Sequence, residues 1–164
     1  VQGIKRTKED HPMKFVLPLI VVKDMETSKS FYRNVLQQKL SMDFGENVTM
    51  EGLALQVDYP DLVGISELQI THKPNDHELY FEEEDFDGFL SHLEQFTDIV
   101  YLHKAKEYPW GQKVVRFYDP DGHIIEVGES MKSVFKRFQS EGMNAQQIAE
   151  RTMHPIDLVE KYIR

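Results

Sequence analysis

The chain has 164 residues, enough for one domain or two small ones. Forty per cent are apolar, including ten Phe, seven Tyr and one Trp, which excludes low-hydrophobicity disorder for the chain as a whole. The complete absence of cysteine excludes a disulfide framework, thiolate zinc sites, iron–sulfur clusters and thiol catalysis; it fits a cytoplasmic compartment and leaves any metal to His, Asp, Glu or Gln. A net charge of −9 argues against nucleic acid as a partner and for small molecules that are neutral, cationic or metal-bound. The acidity is concentrated between residues 13 and 130, which carry 10 basic and 22 acidic side chains.

Residues 1–12 read as an N-terminal extension, with Met13 as the start of the natural domain. Phe15–Val22 is an apolar run interrupted by Pro18, far below the roughly 20 residues needed to span a bilayer, and it reads as a buried strand at an edge or a bulge. No membrane partner is expected. Asp24 is placed to cap an amphipathic helix on which Ser28, Phe31, Tyr32, Val35 and Leu36 share one face. Three strands follow, Lys39–Phe44, Val48–Met50 and Leu53–Asp58, separated by turns at Gly45–Asn47 and Glu51–Gly52.

The connection Tyr59–Asp76 is too long for a tight turn, and Glu67–Thr71 within it reads as a short strand. After it the order repeats. Glu78–Glu82 is a strand, Asp85 a second cap, and Phe86, Phe89, Leu90, Leu93 and Phe96 form a second apolar helical face. Strands are then expected at Ile99–Lys104, Lys113–Tyr118 and His123–Gly128, the last two joined by the turn Asp119-Pro-Asp-Gly122. The two capping aspartates are 61 residues apart, so the chain reads as two copies of one βαβββ module, about 14–58 and 76–129. From residue 131 the pattern is helical. Met131, Val134, Phe135 and Phe138 share a face, Gly142 is a stop, Asn144 a new cap, and Pro155 opens a last helix carrying Leu158, Val159, Tyr162 and Ile163.

Two motifs carry a resemblance. Val22-Lys-Asp24-Met-Glu-Thr-Ser28-Lys-Ser-Phe31-Tyr32, and later Trp110-Gly111 with Arg116-Phe-Tyr-Asp119-Pro-Asp-Gly122-His-Ile-Ile-Glu126-Val127, resemble the glyoxalase/bleomycin-resistance/extradiol-dioxygenase, or vicinal oxygen chelate, superfamily over about residues 14–129. The resemblance implies an α+β fold in which two βαβββ modules form a glyoxalase-like concave sheet or half-barrel. Here that domain would occupy residues 13–130, followed by a helical C-terminal appendix at 131–164. It also implies a homodimer, a cleft for a small-molecule ligand and, in many members, a divalent metal such as Ni, Zn, Mn or Co. Such a fold hosts many chemistries, so function rests on the site.

In metal-using members one ligand lies seven residues before the first capping Asp and another is a Glu after the Asp-Pro-Asp-Gly turn. Glu126 fills the second position as a catalytic and metal-binding candidate. Leu17 fills the first, and leucine cannot ligate a cation. His77, one residue out of register unless its strand is bulged, and Gln56, an inward amide of the fourth strand, are the remaining metal candidates. Gln56, Tyr80, Trp110, Arg116 and Tyr118 are candidate ligand-binding residues, with Trp110 in a loop whose Gly111 offers a hinge over a ligand. His123 lies three residues from Glu126 and so on the opposite face, and His72 and His103 are assigned to the surface.

Three functions are compatible with these residues. The first is a protein that binds a small molecule in a cleft between the modules, sequestering a drug or metabolite without chemistry. The second is a divalent-metal-dependent lyase or isomerase of the glyoxalase I type, with Glu126 moving the proton. The third is an interaction module acting through its tail, whose 142–159 segment is similar to a helix-turn-helix but lacks the basic helix that DNA reading needs.

Overall fold

The computed structural model describes residues 14–164. The N-terminal extension and Met13 lie outside the described residues. Strand β1 (Leu19–Val21) leads into α1 (Met25–Asn34), followed by β2 (Leu40–Asp43), β3 (Asn47–Met50) and β4 (Leu53–Gln56). A short helix α2 (Tyr59–Val63) begins the connection to β5 (Leu79–Glu83). The order then repeats with α3 (Phe86–Leu93), β6 (Tyr101–Glu107), β7 (Lys113–Tyr118) and β8 (Ile124–Glu129). The two sheets have the same topology, β1-β4-β3-β2 and β5-β8-β7-β6, each with a parallel first pair and antiparallel neighbours beyond it. The duplicated α+β architecture read from the sequence is therefore present, as two open sheets.

Both module helices start where a carboxylate satisfies a free backbone donor. Asp24 accepts from the Thr27 amide at 2.7 Å and Asp85 from the Gly88 amide at 3.1 Å. Their apolar faces then close over one side of each sheet: Ile20, Tyr32, Leu53 and Leu55 meet Phe86, Phe89, Leu93, Val115, Phe117, Ile125 and Val127 in one continuous core. Period-two alternation consequently forces Arg116 and Glu126 onto the opposite face. The modules are tied together by the Asp119–Gly122 turn. Tyr32 donates its hydroxyl to buried Asp119 at 2.9 Å, and Asp121 accepts from the Lys23 amide and the Ser28 hydroxyl.

Two expectations are corrected. The first strand is only three residues long; Phe15 and Val16 precede it and are exposed, because pairing with β4 begins at Leu19, directly after Pro18, whose carbonyl accepts from Ala54. Glu67–Thr71 is not a strand: the chain turns there, with the Leu68 amide bonded to the Ile65 carbonyl.

The last three helices are α4 (Met131–Ser140), α5 (Ala145–Thr152) and α6 (Ile156–Ile163). They have a core of their own built from Val134, Phe135, Phe138, Ile148, Ala149 and Val159. Asn144 and Gln147 form a reciprocal capping box at the start of α5, as the Asn-x-x-Gln spacing invites.

Candidate functional site

Strand register assembles the site. In the second sheet Tyr80 of β5 lies opposite Glu126 of β8, Glu126 opposite Arg116 of β7, and Arg116 opposite His103 of β6. Four side chains from four strands thus form one row on the face away from the module helices. Glu78, two residues before Tyr80, joins the row at one side, and Glu82, two residues after it, accepts the Tyr80 hydroxyl at 3.1 Å.

Arg116 is the centre. Its Nε and one Nη grip the Glu78 carboxylate at 2.8 and 3.3 Å, and the same Nη pairs with Glu126. The other Nη donates to His103 Nε2 at 3.1 Å and to the Tyr108 hydroxyl at 2.6 Å. All five guanidinium donors are therefore engaged. His103 also bonds the Lys104 carbonyl through Nδ1, and the tautomer protonated at Nδ1 satisfies both contacts together. The Glu126 side chain is nearly buried, 11 % exposed, so a charged partner is a physical requirement. One of its oxygens takes Arg116; the other has no hydrogen-bond partner among the described residues.

The loop between β6 and β7 walls this row. Tyr108 and Trp110 stack with ring centroids 4.7 Å apart. Trp110 donates to the Gln112 side chain at 3.0 Å, and Gln112 donates in turn to the Tyr80 hydroxyl at 3.1 Å and the Glu129 carbonyl at 2.9 Å. Partial desolvation of the half-exposed Tyr80, with Glu82 beside it, raises its phenol above the ordinary value. Gly128 matters here because a Cβ at that position would crowd the Tyr80 ring and the Gln112 amide.

Of the residues singled out in the sequence, the structure gathers Glu126, Arg116 and Tyr80 directly, with Trp110 joined through Gln112. Tyr118 sits elsewhere, under the Lys73 ammonium at 5.2 Å and in a separate cavity of about 400 Å³ shared with Lys23, Phe31 and His72. Gln56 belongs to the first sheet, where it accepts from Asn47 at 2.9 Å and donates to the Val57 carbonyl. His77 is exposed and paired with Asp76 at 2.8 Å. The assignment of His103 to the surface is corrected, since cross-strand pairing turns it onto Arg116. Glu78, Tyr108 and Gln112 were also missed: Glu78 reaches Arg116 across strands, and Tyr108 and Gln112 are brought in by the fold of the β6–β7 loop. Gly111 is no hinge: it is packed beneath Phe138 of α4.

These residues do not fit a divalent metal. Among the described residues no three His, Asp or Glu side chains gather as ligands. Glu126 already has a cationic partner, His77 is paired with Asp76, Gln56 is bonded within the other sheet, and Leu17 offers no donor.

Paired βαβββ modules with a polar row on the open face define a vicinal-oxygen-chelate-like fold. The profile of the glyoxalase-like domain matches residues 15–132, and the chain belongs to this family, within the glyoxalase/bleomycin resistance/dioxygenase superfamily. A protein of unknown function from Agrobacterium tumefaciens is 37 % identical, with a TM-score of 0.65 over 76 % of this chain and 99 % of its own. A glyoxalase/bleomycin resistance protein/dioxygenase from Nocardioides is 21 % identical, covering 74 % of this chain and 86 % of its own with a TM-score of 0.58. A lactoylglutathione lyase from Agrobacterium tumefaciens is also 21 % identical, covering 74 % and 96 % with a TM-score of 0.56; both likenesses are of fold alone. No curated protein matches the chain.

Proposed function

We propose that this chain binds a cationic or amine-bearing small molecule with an aromatic or apolar body on the row His103–Arg116–Glu126–Tyr80, and holds it without chemical change. The observation that carries this reading is the saturation of Arg116. A guanidinium with all five donors engaged has nothing left for an anionic ligand, whereas Glu126 keeps an oxygen for an incoming donor. On this face Glu78, Glu82 and Glu126 outnumber Arg116 and Lys106, the latter opposite Val114 with its ammonium 4.9 Å from the Tyr108 ring, so the excess charge favours a positive ligand over a negative one. Tyr80 and Trp110 supply the apolar and cation–π surface for such a ligand, while Tyr108, stacked on Trp110, is already within cation–π reach of Lys106 and Arg116.

The reading as a metal-dependent lyase lacks a donor set here, and Glu126 held by Arg116 is poorly placed to act as a free base. The test is a fluorescence titration with the cationic aromatic dye ethidium and the anionic dye anilinonaphthalene sulfonate. Ethidium should bind saturably, and Glu126→Gln should weaken it about tenfold, the equivalent of roughly 1.4 kcal/mol for one charge-assisted contact. Saturable binding of the anionic dye alone, or an unchanged affinity in Glu126→Gln, would refute the reading.

A further inference from the structure

The helices α4 to α6 lie almost wholly beyond the shared family fold, yet they do not hang free of the site. Arg137 of α4 donates to the Gly111 carbonyl at 2.6 Å, and its guanidinium is held against the nearly buried Glu129 carboxylate at 2.9 and 3.2 Å. Arg151 of α5 donates to the Pro109 carbonyl at 2.8 Å. Both arginines also reach Glu107, at the end of β6, on its two separate carboxylate oxygens at 3.4 Å. Phe138 packs so closely on Gly111 that no side chain would fit between them. The Tyr108 carbonyl is taken by the Gly111 amide at 2.8 Å.

The carbonyls of Tyr108, Pro109 and Gly111 are thus all satisfied, two of them by guanidinium groups from the C-terminal helices. On its other side the same loop is wired into the ligand row: Tyr108 to Arg116, and Trp110 through Gln112 to Tyr80. A five-residue loop contacted from behind by two helices and from in front by two site residues has little freedom to move.

We infer that the C-terminal helices are part of the binding apparatus: they hold the Tyr108–Trp110 stack as a fixed wall of the ligand row, with Arg137 and Arg151 as positioning residues that never touch the ligand. This rests on the proposed binding reading for its purpose but not for its mechanics. A wall already in place spares the ligand the cost of ordering the loop, which is how preorganisation raises affinity. It also fixes the distance between the aromatic surface and the Glu126 oxygen, so the wall sets which cations fit.

The test uses the fact that Trp110 is the only tryptophan in the chain, which makes its fluorescence a local reporter. Two variants of the full chain separate the wall from overall folding. Arg151→Gln removes a half-exposed arginine, and the double variant Arg137→Gln with Glu129→Gln neutralises the buried pair without orphaning either charge. Each should raise acrylamide quenching of Trp110 about twofold and shift its emission to the red, with far-ultraviolet circular dichroism unchanged, as expected for local loosening below the global transition. Ethidium affinity should fall about three- to tenfold. Arg151→Lys, which keeps a donor for the Pro109 carbonyl, should restore much of both signals. Unchanged quenching in both variants overturns the inference, as does increased quenching with unaltered dye affinity where the wild type binds. If wild-type protein binds no ethidium, the binding reading falls, and the quenching result alone still decides whether the helices hold the loop.

Discussion

Replacing Arg116 by Met keeps much of the side-chain volume and removes the charge, so it measures what the cation contributes to the fold. The Glu126 carboxylate would be left nearly buried with no counter-charge, the situation in which losing one member of a buried pair costs about 3–5 kcal/mol. The contact to Glu78 adds little to that figure, because Glu78 is more than a third exposed and water screens the pair to about 0–1 kcal/mol. Against a total stability of about 5–15 kcal/mol the variant should still fold. With a urea dependence of about 1–3 kcal/mol per molar, its denaturation midpoint should fall by roughly 2 M. Glu126→Gln removes the charge that needs neutralising and leaves Arg116 on Glu78, so it should cost no more than about 1 kcal/mol. Combining the two substitutions should then recover about 2 kcal/mol of the loss seen in Arg116→Met alone, a coupling read from a double-mutant cycle. A loss below about 1 kcal/mol in Arg116→Met, or strictly additive effects in the pair, would mean that water and not Arg116 carries the Glu126 charge, and the central pairing of the site would be wrong.

Further outcomes follow from other contacts. Gly111→Ala places a Cβ against the Phe138 ring at a φ of +86° and should cost about 1–3 kcal/mol, whereas Gly45→Ala, at φ +82° in open space, should show only the backbone strain of about 1 kcal/mol; equal losses in thermal melts would show that α4 does not press on the loop. Tyr32→Phe removes the hydroxyl from buried Asp119 and should cost about 1–2 kcal/mol near neutral pH. Burial, reinforced by Asp119, holds the Tyr32 phenol well above its ordinary value, so the folded state keeps a proton that the unfolded state releases. Stability from this group is full below the ordinary tyrosine range and declines as pH rises through that range towards the raised folded value; the wild-type alkaline limb should therefore be steeper than that of Tyr32→Phe, and matching limbs would count against the assignment. At the acid end, the bonds from Thr27 hold the Asp24 carboxyl below its ordinary value, so its contribution is present above the usual aspartate range and is lost as pH falls through the depressed folded value. Asp24→Asn keeps a capping oxygen and should flatten the acid limb, which would be unaltered if the cap were not formed.

Much of this fold was legible because local chemistry and hydrophobic period agreed along the chain. The two capping aspartates, the Asp-Pro-Asp-Gly turn and the Asn144 cap each name their element from a few neighbouring residues. The site was legible only in part. Arg116 and Glu126 could be placed on one face from alternation along their own strands, but Glu78 and His103 come to Arg116 across strands, and register is not written in any one strand. Both pairings of β6 onto β7 and of β2 onto β3 carry irregularities in register, which no spacing in the sequence announces. Phe15 and Val16 misled for the converse reason: an apolar run signals a strand, yet pairing starts only after Pro18.

The duplication explains why the charged row exists in one sheet alone. Core-facing Ile20 and Phe81 each lie four residues before a capping aspartate, and they pair with Leu55 and Val127. Aligning the modules on these pairs sets Leu19 against Tyr80, Ala54 against Glu126 and Thr49 against Arg116; the further pairing of Met42 with Thr49 matches that of His103 with Arg116. The row Tyr80–Glu126–Arg116–His103 therefore has an uncharged counterpart in Leu19–Ala54–Thr49–Met42, on the same backbone positions. Leu17, which cannot ligate, aligns in turn with Glu78, whose carboxylate is spent on Arg116. Two copies of one scaffold thus present a charged face and an uncharged one, the latter carrying Thr49 and the hydrogen-bonded amides of Asn47 and Gln56. A metal site that drew on both copies would need donors that the row of the first copy does not supply.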